Sequence, residues 1–140
     1  MSVEFHYYTP WDYAGECKFN YWGEPYKQKG EASPSDEKTM TDFLNRVVST
    51  WGEKGLGLVM GEWGVTDRQK AGQTDVIREN MTYFCRTLVS ETKKRGISTF
   101  VWDNNAFGSG QEKFGIFDRH ASMRVKNTWV LKGIMEGKSE

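Results

Sequence analysis

Glu62 closes the apolar run Leu56-Gly-Leu-Val-Met-Gly-Glu62. A carboxylate ending a strand that reads as buried needs either a structural ion pair or a reaction to account for it. Two other stretches carry reactive or recognition groups at comparable places. Val3-Glu-Phe-His-Tyr-Tyr8 ends in an imidazole and a phenol, His6 and Tyr8, and Ile97-Ser-Thr-Phe-Val-Trp102 ends in an indole followed by Asp103, Asn104 and Asn105. An imidazole, a phenol, a carboxylate and an indole on one face suit carbohydrate chemistry. The carboxylate attacks an anomeric carbon, polar groups hold hydroxyls, and an aromatic platform carries the ring.

The elements that must position these groups are three strands, each followed by a helix. Strands are predicted over about 3–8, 56–62 and 97–102, and helices over about 34–52, 74–95 and 121–136. The first helix has Ser33 as N-cap, Pro34 at the first helical position, and Asp36 and Glu37 in the first turn. Met40, Phe43, Leu44, Val47, Val48 and Trp51 give it one apolar stripe at spacings of three and four, before Gly52 and Gly55 end it. The second helix buries Ile77, Met81, Phe84 and Leu88, and stops at Gly96 after Lys93-Lys-Arg95. The third turns Val125, Trp129 and Ile134 inward. Trp51 and Trp129 therefore read as core, and His120, beside Arg119, reads as a solvated loop residue.

Such alternation argues for parallel strands joined by right-handed crossovers, in an open doubly wound sheet or a piece of a closed eight-stranded barrel. Neither Gly61-Glu-Trp-Gly64 nor Gly108-Ser-Gly110 has the dinucleotide or Walker spacing, which weighs against a nucleotide fold. In barrel enzymes the reacting groups sit at the C-terminal ends of several strands at once. His6 and Tyr8, Glu62 and Trp102 repeat that placement three times.

The chain has 140 residues, enough for a single domain with one core. Its 19 basic and 19 acidic residues cancel and are intermixed, so nothing draws it to nucleic acid or to an anionic membrane. Cys17 and Cys85 lie far apart with no Cys-x-x-Cys spacing, and read as packed thiols with no zinc site. No stretch approaches a membrane span, and Met1-Ser-Val-Glu-Phe-His6 has no basic segment followed by a long apolar one, so the chain as given carries no export signal. Aromatic residues crowd the first 26 positions, mostly in a stretch that reads as loop. They could stack on sugar rings or fold the loop over its own rings.

His6-Tyr-Tyr-Thr-Pro-Trp11, Gly61-Glu-Trp-Gly64 and Phe100-Val-Trp-Asp-Asn104, in that order, resemble the last three strand ends of a glycoside hydrolase family 5 enzyme of the endo-1,4-β-glucanase (cellulase) type. The resemblance spans about residues 3 to 131. It implies three consecutive βα units of a TIM (β/α)8 barrel, with Glu62 as nucleophile, His6 and Tyr8 beside it, and Trp102 as the platform before the cleaved bond. Trp11 and Trp22 would line the loop side of the cleft and Asn104 would join the substrate-binding groups. The ligand would be a β-glucan or cello-oligosaccharide, no metal or organic cofactor is implied, and the parent enzyme would be secreted.

The match lacks one partner. A retaining glycosidase needs two carboxyl groups about 5–5.5 Å apart. The family's acid/base Glu lies in an Asn-Glu motif at an earlier strand end, and this chain begins at the sixth strand. Gly23-Glu-Pro25 imitates that motif only superficially, lacking the Asn and following no apolar strand. A full barrel takes about 250 residues, so a three-unit piece leaves open edges and an uncovered face. Self-association into a homo-oligomer, or a complementing N-terminal barrel piece, is expected to cover them.

Overall fold

Residues 1–140 are described by a computed structural model. Three parallel strands, β1 (Ser2–Tyr7), β2 (Gly57–Trp63) and β3 (Ile97–Val101), lie side by side in that order. Between β1 and β2 come a single turn, α1 (Trp11–Ala14), and the helix α2 (Glu37–Thr50), while α3 (Thr74–Lys94) joins β2 to β3. Past β3, a small ribbon of β4 (Phe117–Asp118) and β5 (Arg124–Val125) leads into α4 (Thr128–Ser139).

The two faces of the sheet differ sharply. On β1, Val3, Phe5 and Tyr7 face the helices, and Phe5 and Tyr7 pack on Phe43 of α2 at ring separations of 5.9 and 5.1 Å. Leu58 and Met60 of β2 join them in one core with Met40, Leu44, Ile77, Met81, Phe84 and Leu88. The opposite face has no cover. There Phe100 is 62% and Trp102 42% exposed, beside the half-exposed Glu4 and His6.

Two helix boundaries differ from the sequence pattern. Asp36, not Ser33, caps α2, its carboxylate accepting from Thr39 N–H at 3.1 Å, so the helix begins at Glu37. Ser33 is used earlier, its hydroxyl accepting from Ser35 N–H at 3.1 Å in a local turn. The last helix begins at Thr128, not near 121, because Ser122 and Met123 hold φ of 56° and 59°, outside helical space. Val125 accordingly pairs with Phe117 in the ribbon. Trp51 also differs: it lies past the end of α2, is 41% exposed, and carries the Lys54 ammonium 5.1 Å from its ring.

The helix α4 docks on α3 through glycines. A Cβ at Gly133 would meet the Thr82 carbonyl at 2.4 Å, and one at Gly137 would meet the Arg86 carbonyl at 2.4 Å. Glycine in a helix ordinarily costs about 1 kcal/mol relative to alanine. Here Gly133→Ala has the opposite sign and destabilises by about 1–3 kcal/mol, because the added methyl forces the helices apart. Urea unfolding checks this, and a stabilised variant would contradict the close packing.

Candidate active site

Regular alternation along β2 would put Glu62 on the same side as Leu58 and Met60, against the helices. It is not there. Phe5 pairs with Met60 but His6 pairs with Glu62, so β2 carries one extra residue between them. That bulge turns Gly61 and Glu62 to the open face and returns Trp63 to the core, where it is buried.

Glu62 thereby meets His6 and Tyr8. The Tyr8 hydroxyl donates to Glu62 Oε2 at 3.1 Å, and His6 Nδ1 lies 3.4 Å from the same oxygen. No hydrogen bond ends on Oε1. Burial, and then the hydrogen bond and charge of Glu62, hold the Tyr8 phenol well above its ordinary range, so it remains a protonated donor. Tyr8 is fixed from both sides, edge-on to Trp11 at 5.8 Å and against Phe114 at 5.6 Å. Phe114 in turn lies over Gly64, where a Cβ would come within 3.0 Å of its ring.

The loops after the three strands are tied into one body. Thr66 N–H donates to Ala14 O at 2.8 Å, and its hydroxyl donates to Gly110 O at 2.9 Å and accepts from Lys113 N–H at 2.7 Å. The buried Arg68 donates to the carbonyls of Tyr13, at 2.5 Å, and of Phe19, with its guanidinium 4.4 Å from the Tyr13 ring centre. Trp102 N–H donates to Trp63 O at 2.7 Å, extending the β2–β3 pairing to the indole beyond the strand end. Neither cysteine is bridged: Cys85 is buried, and Cys17 donates its Sγ proton to Gly110 O at 3.3 Å.

Of the residues expected at the site, His6, Tyr8 and Glu62 are in mutual contact, Trp102 stands on the same open face, and Trp11 is 40% exposed beside Tyr8. Two have other partners. Trp22, expected in the cleft, is 0% exposed, edge-on to Phe84 at 5.0 Å beneath the first loop. Its ring is in the core because both its backbone N–H and its carbonyl bond the Asn80 side chain of α3. Asn104, expected to bind substrate, also shapes its loop: Oδ1 accepts from Ala106 and Phe114 N–H, and one of its two Nδ2 protons is donated to Glu112 O at 2.8 Å.

Glu4, Phe114 and Asn80 belong to the arrangement without having been singled out from the sequence. Glu4 carries a signal, standing two residues before His6 on the same strand face. Phe114 comes from a Gly-rich loop with no periodicity. No three or more His, Cys, Asp or Glu side chains gather as metal ligands, and no helix is long and apolar enough to cross a membrane.

The family model for cellulase (glycosyl hydrolase family 5) matches residues 1–108. The chain belongs to that family. It is 26% identical over 143 residues to Endoglucanase A of Paenibacillus barcinonensis, covering 98% of this chain and 34% of that protein. It superposes with a TM-score of 0.86 and 27% identity on a native Bacteroidetes-affiliated GH5 cellulase linked with a polysaccharide utilization locus, covering 99% of this chain and 34% of that one. A family 5 xyloglucanase from Paenibacillus pabuli, solved in complex with ligand, shares the fold at a TM-score of 0.84 and 24% identity, covering 97% of this chain and 37% of that one. These 140 residues thus form three βα units of a TIM barrel and span about a third of the length of such relatives.

Proposed function

We propose that these residues form the nucleophile side of a retaining endo-1,4-β-glucanase site. The observation that carries this is the treatment of Glu62: Tyr8 and His6 converge on Oε2 while Oε1 is left for attack. Oε1 would attack the anomeric carbon, forming a glycosyl ester as the bond to the departing oxygen breaks, and water would then hydrolyse the ester, releasing Glu62. Trp102 offers the ring platform on the open face. Departure of the oxygen calls for a proton from a second carboxyl. The family's acid/base lies in an Asn-Glu motif, and this sequence has no Asn-Glu pair, so the proposal assigns that proton to a complementing barrel piece or another copy.

The decisive experiment uses a β-cellobioside with fluorine at C2 and dinitrophenolate as leaving group, which departs without being protonated. Capture on Glu62, read by peptide mass spectrometry, supports the reading, and capture on another residue overturns it. On unactivated cellulosic substrate the 140 residues alone are expected to turn over slowly or not at all, since general acid catalysis is typically worth about 10²–10⁴ in rate.

The exposed Phe100 and Trp102 favour a second reading, a non-catalytic glucan-binding surface in which Glu62 only accepts hydrogen bonds. Calorimetry with cello-oligosaccharide separates the two. Binding that survives Glu62→Ala, falls about tenfold or more with Trp102→Ala, and is accompanied by no covalent capture would favour the surface reading.

The 140 residues read as one partial-barrel domain whose uncovered face and strand edges drive association. Parallel sheets are rarely left with one face wet. Light scattering at micromolar concentration is expected to show an oligomer, and a stable monomer would contradict it.

A further inference from the structure

Glu4 points from β1 into a slot that only glycine leaves open. A Cβ at Gly61 would lie 1.9 Å from Glu4 Oε1, so the bulge that turns Glu62 to the open face also places a residue without a side chain where the Glu4 carboxylate rests. From that slot Oε1 lies 2.8 Å from His6 Nε2, while the other ring nitrogen, Nδ1, faces Glu62 Oε2 at 3.4 Å. Glu4, His6 and Glu62 therefore form a continuous carboxylate–imidazole–carboxylate line across β1 and β2.

We propose that Glu4 is a positioning residue for the nucleophile, acting through His6. The proposal rests on the reading of Glu62 as nucleophile and adds the group that orients its neighbour. An ionised carboxylate only accepts, so its approach to Nε2 is attractive when that nitrogen carries a proton. Glu4 thus fixes the ring orientation with a proton on Nε2, and Nδ1 donates to Glu62 Oε2 only when the ring carries both protons. A half-turn of the imidazole about its outer torsion, which is broad and nearly two-fold for histidine, would put carbons where the two nitrogens now stand and lose both contacts. Glu4 and His6 are 55% and 49% exposed by side chain, a setting in which one ion pair adds little to stability. What the pair supplies is the orientation of the ring edge presented to Glu62.

Long-range proton–nitrogen NMR on the ¹⁵N-labelled 140-residue chain tests this directly. The chain has two histidines, and His120→Gln assigns the signals. In the parent chain His6 is expected to show a protonated Nε2, read from the nitrogen shifts of its two ring positions. Glu4→Leu should lose that signature and Glu4→Gln, whose amide oxygen still accepts, should keep it. Gly61→Ala is the sharper variant, because it expels the Glu4 carboxylate while leaving Glu4 in the sequence; it should resemble Glu4→Leu. The rate of capture by the dinitrophenyl fluorocellobioside should fall about 10- to 100-fold in Glu4→Leu, the range expected when a reacting group is slightly misplaced, and recover in Glu4→Gln. An unchanged His6 signature in both Glu4→Leu and Gly61→Ala overturns the proposal, as does an unchanged capture rate. A parent chain that captures no reagent overturns the nucleophile reading instead, and the NMR comparison then decides alone whether Glu4 orients His6.

Discussion

Glu62→Gln is expected to abolish covalent capture of the fluorinated cellobioside, a loss of roughly 10⁴-fold or more in rate, the scale on which removal of a nucleophile acts in other covalent enzymes. The substitution is nearly isosteric. Its amide oxygen can still accept from the Tyr8 hydroxyl, which the parent carboxylate accepts at 3.1 Å, so the neighbourhood should survive. What is lost is the anionic oxygen able to form the ester. Because the reagent's leaving group needs no proton, the test reads the nucleophile separately from the acid/base. Intact-mass and peptide spectra of the parent and the variant, with circular dichroism to confirm that both fold alike, provide the measurement. Capture that persists in Glu62→Gln, or that maps to Glu4 or Glu112, would sink the assignment.

The largest expected effect on stability belongs to Asn80. Its side chain is 0% exposed on α3; Oδ1 accepts from the Tyr13 hydroxyl at 2.8 Å and from Trp22 N–H at 2.9 Å, while Nδ2 donates to Trp22 O at 2.7 Å. Asn80→Leu fills nearly the same volume and leaves those three groups without partners in a site that excludes water. Each stranded group costs about 1–3 kcal/mol, which for three groups is about 3–9 kcal/mol. Relaxation of the loop brings the expected loss to the lower part of that range, about 3–5 kcal/mol. That is a large share of the roughly 5–15 kcal/mol that holds a domain together. The first loop, with Tyr13 and Trp22 on it, should detach from α3 before the rest unfolds. Urea denaturation and amide exchange at Trp22 check both points, and a midpoint close to that of the parent chain would show that the loop is held by something else.

The same contact explains why pattern alone does not place Trp22 in the core. An aromatic residue in a Gly-rich loop has no periodicity to say which way it faces. Its burial depends on a helix residue 58 positions away, linked through the backbone of Trp22 and not through its ring. Asn104 shows the same limit, since an asparagine after a strand can bind a ligand or cap its own loop, and only the positions of Ala106, Phe114 and Glu112 decide. The stripes of α2 and α3 were legible because helical period and burial coincide there. The start of α4 was not, because the left-handed residues Ser122 and Met123 break a pattern whose apolar spacing runs through them.

Strand-end placement could be read directly: His6, Tyr8, Glu62 and Trp102 are at the ends of strands because alternation and helix stripes bound those strands locally, and three motifs in order point to the family. Which side of the sheet Glu62 occupies could not be read. Counting by twos from Leu58 and Met60 buries it against the helices, and only the pairing of β1 with β2, with one extra residue at Gly61, turns it toward His6 and Tyr8. A bulge is a property of two strands in register, so it exists only once residues far apart in the chain have paired.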